Sequence, residues 1–436
     1  MNRRDFLKAL GLGGTVSAAS ACTLDDNVYF TPVEKVLPFV TRPEQTTPGT
    51  NSHFATTIGT GPRAWPVVSV HRDGRVINVG ANDNTGVARA VTAANLFELQ
   101  RHWSPDRVTA PRKDGAPTTW DDATKELVGK AVAARSAGKK VAYVGPYRSG
   151  TIVDVLKTVT SGNALFFEPL GLDAEALAAK ALFGDVGLPR YLLDDARMVL
   201  SFGAPFLGDA YASPGLRASF AAAKSANHGN YVARFVAVTP VKDQTAANAD
   251  DWHGCVPGTE AMVALAIAKL VADAKHYAGP ATAMLAAANV EAAASASGIS
   301  AETIQSIAKA FAAESAVALP GGINGASAAA TRLAGAVYLL NHVSGHETMR
   351  PGGYRGPISS LADVQALVAD MQAGKVGVLL LDDVDLVHAI PGGAFAAALA
   401  NVGTVVSVTG TPNETNAAAK LWMPTHDAFE DWGDEE

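Results

Sequence analysis

Cysteine is nearly missing: Cys22 and Cys255 are the two in 436 residues. A four-iron cluster takes four thiolates, so this chain cannot ligate one by itself. Beyond residue 22 only Cys255 remains, and no intrachain disulfide is expected. A basic surplus is missing too. Lys and Arg number 35 against 42 Asp and Glu, for a net charge of −7. The cations are scattered without a stripe, which argues against nucleic acid as a partner. After the first twenty-odd residues no stretch has the length and unbroken apolarity of a membrane span.

The motifs of common catalytic sites are also missing. The chain holds 10 histidines without metal-ligand spacing. His342 and His346 form the one close pair, but Glu347 stands in the wrong place for H-E-x-x-H. They are expected to be capping or core histidines. No G-x-S-x-G announces a nucleophile. Gly145-Pro146-Tyr147-Arg148-Ser149-Gly150 has neither a Walker lysine nor G-x-G-x-x-G, and reads as a tight strand–helix turn. His426, Asp427 and Glu430 precede an acidic end, expected to be solvated. No catalytic residue and no metal ligand is assigned.

What is present begins with an address. Asn2-Arg3-Arg4-Asp5-Phe6-Leu7-Lys8 is a twin-arginine pattern, and a weakly apolar run follows to Ala19-Ser20-Ala21-Cys22. Arg3 and Arg4 are expected to direct export, and Cys22 to become a lipidated N-terminus on the periplasmic side of the membrane. Residues 23–56, rich in Thr, Pro, Asp and Asn, read as an extended tether. Residues 66–71 and 75–79, joined by Arg72-Asp73-Gly74, make a β-hairpin. Thr119 opens a helix that runs to about residue 137.

From there strands and helices alternate. Strands are expected at 140–144, 164–167, 198–202, 231–239, 316–319, 376–381 and 405–408, and an Ala-rich helix at 281–297. The alternation predicts parallel sheets with helices on both faces. Residues 231–271 hold a strand, a polar loop and a helix capped by Thr259 with Glu260 in its first turn. A loop at the carboxyl end of a strand is where ligands sit in open α/β sheets. The candidate contacts are Gly203, after the strand that ends Ser201-Phe202, and Gly258, Thr259 and Glu260.

Read together, these stretches resemble the large subunits of molybdopterin oxidoreductases, the complex iron–sulfur molybdoenzymes, in order along nearly the whole chain. Gly74-Arg75-Val76-Ile77-Asn78-Val79 resembles G-R-V-x-x-V, and Ser104-Pro105-Asp106-Arg107 resembles x-P-D-R. Trp120-Asp121-Asp122-Ala123 resembles W-D-E-A. Ala249-Asp250-Asp251-Trp252 and Pro257-Gly258-Thr259-Glu260 resemble A-D-x-W and P-G-T-D. Pro351-Gly352-Gly353 and Glu430-Asp431-Trp432-Gly433-Asp434 complete the series.

The resemblance implies two doubly wound α/β lobes and a small β-rich N-terminal region. The expected boundaries are 1–22 for the signal, 23–56 for the tether and 57–118 for the β-rich region. One lobe takes 119–165 with 298–436; the other, 166–297, is inserted into it. The departures imply losses. Residues 54–62 lack the cluster cysteines. Asp173 and Asp185 are the only aspartates where a molybdenum ligand belongs. Thr239-Pro240 replaces the acidic residue that holds a guanosine ribose. The family's C-terminal β-barrel domain is expected to be absent.

These losses resemble the molybdopterin-like part of alternative complex III, a quinol-oxidising respiratory complex. The resemblance implies a scaffold subunit without molybdopterin guanine dinucleotide or iron–sulfur cluster. Its partners would be a separately encoded iron–sulfur subunit, integral membrane quinol-binding subunits and c-type cytochrome subunits. Two alternatives remain open: a molybdopterin-dependent oxidoreductase completed by another chain, and a periplasmic ligand-binding lipoprotein.

Overall fold

The computed structural model describes residues 47, 49–82, 91–184, 187–208, 214–225, 231–321 and 329–431. Arg3, Arg4, Cys22, Asp185 and the acidic end from residue 432 lie outside them. The described residues of 47–52, with 72–74, form a small unit of their own. In it the Gly49 N–H donates to Asp73 at 3.0 Å, and Arg72 Nε donates to Asn51 Oδ1 at 2.9 Å.

The remainder, residues 53–71 and those from 75 on, is the second unit, which carries all but the outer ends of the first two strands. Strands β1 (Asn51–Ile58), β2 (Trp65–Arg72) and β3 (Arg75–Ala81) form a sheet in that order. Ile58, Trp65, Val67 and Val79 make its core. The hairpin lies where its alternation put it. However, β1 begins inside the stretch expected to be tether, and helix α1 (Ala93–His102) interrupts the expected β-rich region. Thr92 caps α1: its side chain accepts the Asn95 N–H, and the Asn95 side chain accepts the Thr92 N–H.

Two short strands, β4 (Arg112–Lys113) and β5 (Ala116–Pro117), precede helix α2 (Trp120–Ser136), which Thr119 caps as expected. Then come β6 (Lys140–Gly145), helix α3 (Thr151–Val159), β7 (Ala164–Phe166) and helix α4 (Asp173–Phe183). Strand β8 (Leu188–Tyr191) leads to β9 (Met198–Phe202), β10 (Arg234–Val238) and β11 (Asp251–His253). Helices α5 (Glu260–Ala274) and α6 (Ala301–Ala313) follow, then β12 (Ala316–Pro320) and helix α7 (Ala330–Ser344). The chain continues through β13 (Met349–Tyr354), helix α8 (Leu361–Gln372), β14 (Val376–Leu381), β15 (Thr404–Ser407) and β16 (Leu421–Trp422).

Two sheets organise these elements. The larger has the order β5-β4-β16-β15-β14-β6-β7, parallel from β16 to β7. The smaller, β11-β10-β9-β12, is parallel throughout. Alternate residues feed different cores. Met198, Leu200 and Phe202 enter one cluster, and Val199 enters the cluster on the opposite face. Ala142 and Val144 part from Val141 and Tyr143 in the same way. Burial on both faces explains why these strands read as continuous apolar runs.

Three expectations need correction. Strand β12 was expected in the discontinuous lobe, but it pairs with β9 along Ala316–Pro320, so the inserted lobe extends beyond residue 297. Its helices α6 and α7 share the core of α5. Both connections between the large sheets instead run through the antiparallel ribbon β8–β13. The Ala-rich helix is broken into Thr282–Leu285 and Val290–Ser297, because the Asn289 side chain accepts the Ala292 N–H and starts a new helix. Thr259 stands at the N-cap of α5 without capping it by its side chain.

Candidate functional site

The parallel strands of the larger sheet deliver three groups to one place. Tyr143 lies in β6, Arg148 in the turn after it, and Asp382 directly after β14. Asp382 is 6% exposed. The Tyr143 hydroxyl donates to Asp382 Oδ2 at 2.7 Å, and Arg148 Nη2 donates to the same oxygen at 3.0 Å. Burial, then the neighbouring carboxylate, pushes the Tyr143 phenol well above its ordinary range. Burial works against the Arg148 charge, but Asp382 and Tyr143 outweigh it and hold the guanidinium more basic still.

Beside them, Asp383 takes a left-handed conformation with φ 45. It accepts from Arg101 Nη1 of α1 at 2.6 Å, and Arg101 Nε donates to Thr411 Oγ1 at 2.8 Å. A non-glycine residue in that region is held there by its surroundings. Thus α1 lays a cation across the carboxyl ends of β14 and β15.

The acidic stretch near the C-terminus is not simply solvated, contrary to expectation. Arg107 donates to both oxygens of Glu430 and lies 3.1 Å from Asp427, whose Oδ2 is 2.6 Å from His102 Nδ1. Bonding to Arg107 holds the Glu430 carboxyl below its ordinary range. This contact joins two stretches noted for their resemblance, Pro105-Asp106-Arg107 and the segment from Glu430, which are 323 residues apart. His102, Asp427 and Glu430 are the one group among the described residues close enough to share a metal ion. The Arg107 guanidinium already fills the cationic place among them. His342 and His346 sit where expected, at the end of α7: His342 bonds the Tyr277 hydroxyl at 3.1 Å and His346 the Phe311 carbonyl at 3.1 Å.

In the smaller sheet the four candidate contacts fall into two separate networks. Gly203 has φ 79 and bridges to Pro320, closing the end of β9 against β12. Gly258 has φ 88 and faces open space. Thr259 Oγ1 donates to the Val256 carbonyl at 2.6 Å. Glu260 is 2% exposed and turns inward, accepting the Gly258 N–H at 2.9 Å. Burial, then Glu260, pushes the Cys255 thiol up to about 12.

The structure also shows a duplication not expressed as a short-period repeat. Each lobe follows a strand with the same loop, Asp243-Gln244-Thr245 after β10 and Asn413-Glu414-Thr415 after β15. Asp243 Oδ1 accepts the Ala246 N–H, and Asn413 Oδ1 accepts the Asn416 N–H, both at 2.8 Å. Buried Thr245 accepts the Leu207 N–H at 3.1 Å, and buried Thr415 accepts the Val387 N–H at 2.8 Å. Each loop leads to a short parallel strand carrying a tryptophan, Trp252 or Trp422. The signal was there to be found: the two segments, ten residues each, share threonine, alanines and tryptophan at matching positions.

At the larger sheet's strand ends Arg101 and Arg148 are each held by a carboxylate of this chain. Glu260 is likewise committed inward.

No protein-family model matches the chain. The menaquinone reductase molybdopterin-binding-like subunit of Nitratidesulfovibrio vulgaris strain Hildenborough is 30% identical over 287 residues, covering 63% of this chain and 40% of that protein. The arsenate respiratory reductase molybdopterin-containing subunit ArrA of Shewanella sp. strain ANA-3 is 30% identical over 291 residues, covering 62% and 32%. The chain therefore spans less than half the length of these curated relatives. The structure of acetylene hydratase from Pelobacter acetylenicus matches with a TM-score of 0.67 at 12% identity, over 84% of this chain and 62% of that one. The chain is thus similar in sequence to a molybdopterin-binding-like and a molybdopterin-containing subunit, and it shares the fold of acetylene hydratase.

Proposed function

We propose that the chain is a cofactor-free scaffold subunit of a membrane-bound, quinol-oxidising respiratory complex similar to alternative complex III. It docks a separately encoded iron–sulfur subunit against integral membrane quinol-binding subunits, with c-type cytochrome subunits as further partners. The observation that carries this reading is the internal pairing of Arg101 with Asp383 and Arg148 with Asp382. It leaves the strand ends closed by the chain's own ions, and Cys255, a lone buried thiol, cannot by itself make a four-thiolate cluster site. The names of the two curated relatives, both subunits of reductases, support a place in a larger assembly.

The relatives' names also support the second reading, a molybdopterin-dependent oxidoreductase completed by another chain. A mild-detergent pull-down from native membranes separates the two. The scaffold reading expects iron in the complex, and neither molybdenum, pterin nor iron in the chain stripped of partners. Stoichiometric molybdenum or pterin in the stripped chain overturns it.

Export and anchoring form a second prediction. Arg3→Lys with Arg4→Lys leaves the precursor in the cytoplasm, because the paired guanidinium groups are what the translocase reads. Fatty-acid labelling is lost in Cys22→Ser and kept in Cys255→Ser. Labelling that survives Cys22→Ser rules the lipid anchor out.

A further inference from the structure

Helix α1 turns its polar side toward the protein and its apolar side toward water. On the inward side Asn95 closes the cap with Thr92, and Glu98 lies 3.7 Å from Arg101. Arg101 reaches Asp383, and His102 reaches Asp427. On the outward side Leu96 is 43% exposed, Phe97 67% and the C-capping Trp103 47%. A surface helix of a free-standing protein has the opposite pattern. Strand β3 continues the outward side. Trp103 Nε1 donates to the Val76 carbonyl at 2.9 Å, and the Arg75 guanidinium carbon lies over the Trp103 ring, 5.2 Å from its centre. Single exposed apolar residues are ordinary, but a cluster of large ones marks a contact surface.

We propose that the outward face of α1, with Arg75, is the docking surface for a soluble partner subunit that presents an apolar patch edged by a carboxylate. The proposal rests on the chain being one part of an assembly, which both readings above share. Tryptophan and arginine, two of the four side chains on this face, are the types that anchor protein interfaces. The carboxylate follows from Arg75, which among the described residues stacks on Trp103 and pairs with no acid.

Two other occupants fit less well. A helix that lies on a lipid surface meets the headgroups with Lys and Arg beside its apolar side. The cations of α1, Arg101 and His102, are instead turned inward and held by Asp383 and Asp427. A second copy of the chain, related by a two-fold axis, would offer the same face to itself. The one acid of α1, Glu98, is inward beside Arg101, so this helix brings no carboxylate to Arg75.

A mild-detergent pull-down of the full chain from native membranes tests the surface, with each captured subunit measured against the chain. Phe97→Asp is expected to lower recovery of one stoichiometric subunit at least about tenfold, as loss of an interface anchor does. Met284→Asp, at a residue of the inserted lobe that is 56% exposed, leaves recovery unchanged. Arg75→Glu lowers recovery at low salt, and added salt narrows the gap from the parent. Hydrogen exchange of residues 96–103 slows in the complex. In the lone chain Phe97→Asp keeps the parent's unfolding midpoint, because that side chain lies mostly in water. Full recovery with Phe97→Asp, an equal loss with Met284→Asp, no effect of Arg75→Glu, or unchanged exchange at 96–103 overturns the proposal. So does a lone chain that dimerises or binds phospholipid vesicles through Phe97, or one that Phe97→Asp destabilises, for then a second copy, lipid or the chain itself covers the face. A parent chain that captures no subunit overturns the assembly reading along with the surface.

Discussion

Asn341→Leu is expected to cost the inserted lobe about 4 kcal/mol, because it orphans two buried backbone groups at once, each about 1–3 kcal/mol. The reason lies at a sheet edge. Strand β12 ends the smaller sheet, and a bare edge presents unpaired N–H and C=O groups. Asn341 of α7 acts as its missing neighbour. Its Oδ1 accepts the Ala318 N–H and its Nδ2 donates to the Ala318 carbonyl, both at 2.8 Å. Thr348 Oγ1 closes the next position by donating to the Ala316 carbonyl at 2.6 Å. Leucine matches asparagine roughly in size but offers neither bond. Asn341→Asp is also expected to fail, since a carboxylate accepts from Ala318 and cannot donate. Chemical denaturation followed by a probe in the inserted lobe reads the change. A loss below about 1 kcal/mol would show that water or a shift of α7 satisfies the edge.

That edge marks the limit of what the sequence told. The buried strands β6, β9, β12 and β14 were legible because each is a nearly unbroken apolar run. The hairpin β2–β3 was legible from its alternation and its Asp73-Gly74 turn. Which sheet β12 joins was not legible. An apolar run says that a strand is buried, not which strand lies beside it, and the true partner, β9, is more than a hundred residues earlier. A polar Asn341 directly after the run Val337-Tyr338-Leu339-Leu340 was the one available hint.

The short strands escaped for a simpler reason. Strands β4, β5 and β16 have two residues each and β11 has three, too few to show a period. The site was partly legible. The resemblance picked out Arg107 and Glu430 separately, but nothing local in either segment says that they meet. Glu260 was read as a ligand contact from its motif. The structure turns it inward, because its carboxylate closes the start of its own helix through the Gly258 N–H. The strand-end pairs were missed altogether, since Asp382 and Asp383 look like ordinary loop acids until Arg148 and Arg101 are placed on them.

Those pairs carry the second large effect. Arg148→Ala is expected to cost about 3 kcal/mol, because it leaves the buried Asp382 charge without its cation. The side chains of Asp382 and Arg148 are 8% and 25% exposed, so water screens the acid little once the guanidinium is gone. Removing the whole group should behave differently. In Tyr143→Phe with Arg148→Met and Asp382→Leu, no charge and no hydroxyl is left to satisfy, and replacing a buried ion pair with apolar residues is often neutral. Thermal or chemical unfolding of the single and triple variants compares the two. A triple variant as damaged as Arg148→Ala would mean that packing, not the stranded charge, sets the cost. The same triple variant bears on function. If the strand-end ions only close the sheet, it still assembles with its membrane partners. If they hold a ligand that the assembly needs, the variant folds and fails to assemble, and the scaffold reading falls with it.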